Sequence, residues 1–251
     1  MGGRTALVTG AGRGIGRATA ISLAARGDRV LAVARTEQDL RSLAEAAPVE
    51  YLVETVGTVD GCARVAEEAI SRLGQIDILV NNAGVDMGEP PIWDQAATVW
   101  RQTLAVNLDA PFELTRQLVG EMIQRRWGRI VMVSSTAGII GGPSMAAYCA
   151  SKHGLLGLMR SVACDVAPTG VTCNAVAPGW VQTSMSDRTA EREAAQRGVA
   201  AQEVWDERAS SYAAGRVVEA EEVASVIAFL TSEAAAAVNG ETIKIALGEV
   251  W

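Results

Sequence analysis

Apolar and polar positions alternate between two periods along this chain. Thr5 to Thr9 is a short apolar run that reads as a buried strand, and Gly14 to Arg26 then places Ile15, Ala18, Ile21 and Leu23 or Ala24 on one side of a helix. The same alternation predicts strands over Arg29–Ala34, Glu50–Val53 and Ile76–Val80, with helices over Glu37–Ala46 and Val59–Leu73 between them. After a Gly/Pro-rich stretch from Gly84 to Pro91, a long helical region is predicted from about Thr98 to Arg126, followed by a strand over Arg129–Val133 and a helix over Met145–Val166. The remainder reads as a strand over Val171–Val176, a polar, alanine-rich insertion from Ser186 to Tyr212, a helix over Ala220–Leu230 and a last strand over Glu241–Ala246. Seven strands separated by helices imply an α/β fold: a Rossmann-type, doubly wound domain with a parallel sheet and helices on both faces.

A chain of 251 residues fits one such domain, so residues 1–251 are expected to form a single unit, with an insertion at about 180–215 that borders a substrate site and looks mobile. Lys and Arg number 22 against 29 Asp and Glu, a net charge of −7 that disfavours nucleic acid and anionic membrane partners. No apolar run reaches membrane-spanning length, Met1 to Gly12 has no signal pattern, and Ala6 stands where a myristoylation motif needs Ser or Thr, so a cytoplasmic location is expected. Cys62, Cys149, Cys164 and Cys173 have neither metal-ligand spacing nor a nearby histidine cluster, and no metal is expected. His153, the one histidine, points about 100° away from its neighbour Lys152 on a helix and is assigned no chemistry.

Chemistry enters at two places. Gly10-Ala11-Gly12-Arg13-Gly14-Ile15-Gly16 follows the first strand and opens the first helix, where glycines let backbone approach a pyrophosphate and the helix end offers free N–H groups. The second strand ends Ala34-Arg35: the acid that would accept from an NAD ribose hydroxyl is absent, and Arg35, joined by Arg13, suits the 2′-phosphate of NADP(H). Tyr148 and Lys152 stand one turn apart on a predicted helix, and Ser135 lies at the end of the fifth strand, so all three can meet at the carboxyl edge of the sheet.

With these motifs in order, the chain resembles the short-chain dehydrogenase/reductase family over nearly its whole length, through Thr9 to Gly16, Asn81-Asn82-Ala83-Gly84, Asn107, Ser135, Tyr148-Cys149-Ala150-Ser151-Lys152, Pro178-Gly179 and Thr183. The resemblance implies an NADP(H)-dependent oxidoreductase that interconverts a ketone and a secondary alcohol, of the carbonyl-reductase type. By the same resemblance Tyr148 is the acid/base, with its pKa lowered by Lys152; Ser135 holds the substrate oxygen and Asn107 a water. Asn81, Ala83, Gly84, Pro178, Gly179, Val181 and Thr183 border the cofactor. Where relatives carry an aspartate after the third strand, this chain has Glu54-Thr55-Val56, leaving Thr55 or Glu54 to meet the adenine; the usual Asp-Gly-Gly near the end is Leu247-Gly248-Glu249.

Val85, Met145, Trp180 and Met185, with Trp205, are expected to give the substrate pocket mostly apolar walls. The main alternative is a 3-oxoacyl reductase acting on carrier-protein or CoA thioesters, for which Arg125, Arg126 and Arg129 offer a basic patch. A dinucleotide-binding sensor or scaffold is the non-enzyme alternative. Relatives' assembly through helices at about 98–126 and 146–166 and the last strand implies a homotetramer.

Overall fold

The computed structural model describes residues 3–248; Met1, Gly2 and Glu249, which enter the sequence reading, lie outside them. Seven strands, β1 (Thr5–Thr9), β2 (Arg29–Ala34), β3 (Glu50–Val53), β4 (Ile78–Asn81), β5 (Gly128–Val133), β6 (Val171–Pro178) and β7 (Thr242–Ile245), form one parallel sheet in the order β3-β2-β1-β4-β5-β6-β7. All residues of β1, β5 and β6 are buried, as a sheet covered on both faces requires. Leu7, Leu79, Ile130 and Met132 pack on one face against α3 (Val59–Leu73), α5 (Ala110–Arg125) and α6 (Ala146–Val166). Ala6, Val8, Val80 and Val131 point the other way, onto α1 (Gly14–Ala25), α2 (Glu37–Ala46) and α9 (Ala220–Leu230).

The chain winds outward from β1 to β3 and then returns to place β4 on the other side of β1. This reversal opens a crevice beyond the carboxyl ends of β1 and β4, where such sheets bind ligands. Hydrogen bonds lock its floor: Thr9 Oγ1 accepts from the N–H groups of Asn82 and Ala83 at 3.1 and 3.0 Å, while Asn82 Nδ2 donates to the carbonyls of Thr9 and Gly10 at 2.8 and 3.2 Å.

Two predicted segments differ from expectation. The region from Thr98 to Arg126 is not one α-helix: α4 (Ala97–Leu104) passes through a π-helical turn, Ala105–Asp109, into α5. Pro111 has no N–H to give to the carbonyl four residues back, and the ladder widens here, with Ala110 N donating to Ala105 O. The insertion expected to be mobile forms a helical hairpin, α7 (Ser184–Arg197) and α8 (Ala201–Ser210), around a small core of Ala190, Ala194 and Val204. Thr183 caps α7 by accepting from Ser186 N. Arg208 is buried with its guanidinium 3.6 Å from the Trp180 ring centroid and 5.1 Å from that of Trp205, and it pairs with Glu193 at 3.1 Å.

Gly16 sits where α1 crosses the crevice floor, and a methyl group there would collide with Asn82 Nδ2 and the Gly10 carbonyl. Gly16→Ala is expected to lower unfolding free energy by about 1–3 kcal/mol, measured by urea denaturation, because the obstacle on one side is backbone that cannot step aside. A variant with the parent's midpoint would show that the floor yields more easily than its hydrogen bonds suggest.

Candidate active site

The crevice continues into a cavity of about 560 Å³ that runs from the end of β2 to the first turns of α6. Gly10, Gly12, Arg13, Gly14 and Ile15 line one wall, and Gly10 adopts a φ of +64° that a side chain would strain. At the β2 end stand Ala34 and Arg35, and Arg35 is exposed with no ion-pair or hydrogen-bond partner among the described residues. Arg13 differs from expectation: it is held by Asp39, Nε to Oδ2 at 2.6 Å, so it neutralises a carboxylate at the cavity mouth instead of standing free beside Arg35. Thr55 lines the cavity with Glu54, whose carboxylate is clamped by Arg64 at 2.6 Å.

In the middle, Asn82, Ala83 and Gly84 form the wall opposite Thr183. Asn81 lies beneath it, buried, with Nδ2 donating to Thr115 Oγ1 at 3.3 Å. Pro178 ends β6; Gly179 N donates to the Ile245 carbonyl, and Val181 is buried in a bridge with Val218, so these three shape the approach to Thr183 without being among the walls.

The far end gathers the residues suited to proton transfer. Tyr148 and Lys152 project from α6 into the cavity, with Lys152 Nζ 5.7 Å from the Tyr148 ring centroid. Ser135, just behind the cavity lining, accepts from Ala137 N at 3.1 Å and lies near enough to the phenol to favour its charged form. The buried Lys152 Nζ donates to the Val133 carbonyl at 2.9 Å. Asn107, fully buried in the π turn, accepts from Val85 N at 2.8 Å and donates to Val85 O at 3.0 Å and Ser151 Oγ at 3.1 Å. Its side chain therefore pins the cavity wall to the start of the loop after β4. A methyl group on Gly84 would stand 3.5 Å from both Asn107 Oδ1 and Lys152 Nζ, a measure of how closely the wall covers the ammonium.

The protein's own groups do not make the phenol more acidic. Burial pushes Tyr148 up to about 12, against the opposing pull of the Ser135 side chain and with a further push from Asp86 and Cys149. Burial also brings the Lys152 ammonium down to about 8. Lys152 is not among the groups that shift the phenol: enclosure penalises both charged forms, and the phenol stays protonated at neutral pH.

Of the anticipated substrate walls, Val85 and Met185 line the cavity, whereas Trp180 is turned against Arg208 and Met145 packs by Gly142 at the start of α6. Asp86 and Met87, which follow Val85 in the segment expected to border the substrate, complete the far end together with Ser134 and Arg188, which belonged to no motif. Asp86 accepts from Thr189 Oγ1 at 3.2 Å and pairs with Arg192 at 3.2 Å, fastening the loop after β4 to α7. Glu89, from the same loop, accepts from the N–H groups of Ala147 and Tyr148 at 2.7 and 2.8 Å. The basic patch of Arg125, Arg126 and Arg129 lies at the amino end of β5, the edge opposite the cavity; Arg125 faces Asp77 and Glu121, and Arg129 is buried near Glu233.

Comparison with known proteins agrees with this geometry. The short chain dehydrogenase family profile matches residues 4–194. The 3-oxoacyl-(acyl-carrier-protein) reductase FabG of Escherichia coli is 36% identical over 245 residues, spanning 97% of this chain and 96% of its own. Among solved structures, a Trp-substituted actinorhodin polyketide ketoreductase with NADPH aligns with a TM-score of 0.94 at 34% identity, over 99% of this chain and 98% of that one. An NAD+-bound xylitol dehydrogenase aligns with a TM-score of 0.91 at 29% identity, over 98% and 99%. On sequence, fold and the placement of its motif residues, the chain belongs to the short-chain dehydrogenase/reductase family.

Proposed function

We propose that the chain is an NADP(H)-dependent ketoreductase that interconverts a ketone and a secondary alcohol, with Tyr148 as its acid. The observation that carries this reading is the meeting of the Tyr148 phenol, with Ser135 beside it, and the Lys152 ammonium at one end of a cavity whose other end is Arg35. The residues fit a phosphorylated dinucleotide. Glycine backbone opens the wall at the helix α1 N-terminus; Arg13 is neutralised by Asp39, whereas Arg35 has no partner among the described residues and stands as uncompensated positive charge. Likeness to both an NADPH-bound and an NAD+-bound structure leaves that choice to the local residues, and Ala34-Arg35 favour the 2′-phosphate.

When bound, the dinucleotide supplies the hydride. Ser135 holds the substrate oxygen beside Tyr148, whose phenol, protonated at neutral pH, gives its proton to that oxygen as the alcohol forms. Lys152, charged below about 8, stabilises the phenolate that remains. Residues 1–251 act as one domain, with the hairpin of the 180–215 segment roofing the substrate end. Exposed Trp100, Phe112 and Ile123 on α4 and α5 suit a homotetramer, and a cytoplasmic location fits the absence, among the described residues, of a helix able to cross a membrane. A 3-oxoacyl thioester is the second substrate reading, favoured by likeness to the Escherichia coli reductase. It does not draw on Arg125, Arg126 or Arg129, which face away; Arg188 is the arginine at the substrate end.

A panel of cyclic ketones and 3-oxoacyl thioesters, followed by NADPH absorbance, tests the assignment and ranks the two substrate classes. Tyr148→Phe is expected to lower turnover by about 10²–10⁴-fold while NADPH affinity, read by fluorescence titration, stays within about threefold; retained turnover removes Tyr148 from the chemistry. Arg35→Ala is expected to weaken NADPH by about tenfold or more and NADH hardly at all, a loss of roughly 1.4 kcal/mol confined to the phosphorylated cofactor. Equal effects on both would contradict the phosphate assignment. Reduction should hold steady between about pH 6 and 7 and decline as pH rises through about 8, where Lys152 loses its charge while Tyr148 remains protonated. A decline that persists unchanged in Lys152→Met would assign it to another group.

A further inference from the structure

The catalytic tyrosine stands in the weakest part of its helix. Helix α6 begins at Ala146, so Ala147 and Tyr148 lie in the first turn, whose N–H groups have no carbonyl partner within the helix. Met145 at the boundary offers no side-chain cap. Both N–H groups are nonetheless taken, by one carboxylate from 58 residues earlier in the chain: Glu89 Oε2 accepts from Ala147 N at 2.7 Å and Glu89 Oε1 from Tyr148 N at 2.8 Å. Gln95 Nε2 donates to Glu89 Oε2 at 2.7 Å and holds the carboxylate from behind. A negative group at this end also meets the positive pole of the helix.

Glu89 lies in the loop after β4 that supplies Val85, Asp86 and Met87 to the cavity. From this geometry we infer that Glu89 is a positioning residue for Tyr148: it clamps the first turn of α6 and ties the setting of the phenol to that of the substrate loop. This inference rests on the ketoreductase reading and adds to it a residue that touches neither substrate nor cofactor. Asn107 fastens the start of the same loop through Val85, and Asp86 fastens its middle to α7, so Glu89 is the anchor through which the loop reaches the catalytic backbone.

The test compares the parent with Glu89→Ala and Glu89→Gln in the full chain, by hydrogen exchange of the peptide containing Ala147 and Tyr148 and by steady-state ketone reduction. Glu89→Ala is expected to speed exchange at those two amides and to lower kcat by about ten- to a hundredfold, with the KM for ketone and the NADPH dissociation constant each within about threefold. Glu89→Gln keeps one carbonyl acceptor and sets an N–H against the other amide, so its kcat should fall between the two. Unchanged exchange in Glu89→Ala overturns the clamp, and faster exchange with kcat within about twofold overturns the positioning role. A parallel loss of NADPH binding and thermal midpoint would assign Glu89 to folding alone. If the parent reduces no ketone, the ketoreductase reading fails, and exchange still decides whether Glu89 holds the helix.

Discussion

A primary ammonium is enclosed at the carboxyl edge of this sheet with the Val133 carbonyl as its hydrogen-bond acceptor, and the arrangement of the crevice follows from keeping it there. An isolated buried charge is costly, and the expense appears in the lowered proton affinity of Lys152. The Val133 carbonyl offsets part of that cost, and the polar groups around the ammonium are tied into the helix and loop. Asn107 is occupied by Val85 and Ser151, Ser134 Oγ donates to the Lys152 carbonyl, and Ser151 Oγ donates to the Tyr148 carbonyl. The first turns of α6 are thus a polar network surrounded by apolar packing, a place where stability is given up for function.

The π turn connects this network to the outer helices. One added residue in the ladder carries Asn107 inward, where an ordinary α-helical register would turn it elsewhere, and Pro111 makes the added residue easier to accommodate. Polar contacts from three directions therefore meet on the loop after β4: Asn107 from the π turn, Thr189 and Arg192 from α7, and the end of α6 through Glu89. The loop's conformation is over-determined, and this is what gives the cavity a defined far wall.

Much of the architecture was legible because strands buried on both faces and helices buried on one have different periods, and because glycine, asparagine and tyrosine were needed at positions where substitutes would not serve. Lys152 and Tyr148 could be placed together from a spacing of four, and Ser135 from the end of its strand. What escaped the sequence were features set by long-range contact. Glu89 meets Tyr148 across 59 positions, a pairing that no local pattern encodes. The polar, alanine-rich composition of the α7–α8 hairpin suggested a mobile insertion, yet Arg208 packs on two indoles and supplies contacts that aliphatic side chains would elsewhere. Arg125, Arg126 and Arg129 looked like an entrance patch on charge alone, although residues that precede or open a strand of a parallel sheet stand at its amino edge, away from the crevice. The raised proton affinity of Tyr148 is likewise a property of enclosure, invisible in spacing.

The stack of Trp180, Arg208 and Trp205 has an optical consequence. Indole emission depends on charge and water beside the ring, and Arg208 bridges the α7–α8 hairpin to the turn after β6 by lying on one indole from each. Any outward swing of the hairpin must separate Trp180 from the cation and wet its face. Trp180 is thus an intrinsic fluorophore whose emission reports how firmly Arg208 holds the hairpin to the turn after β6.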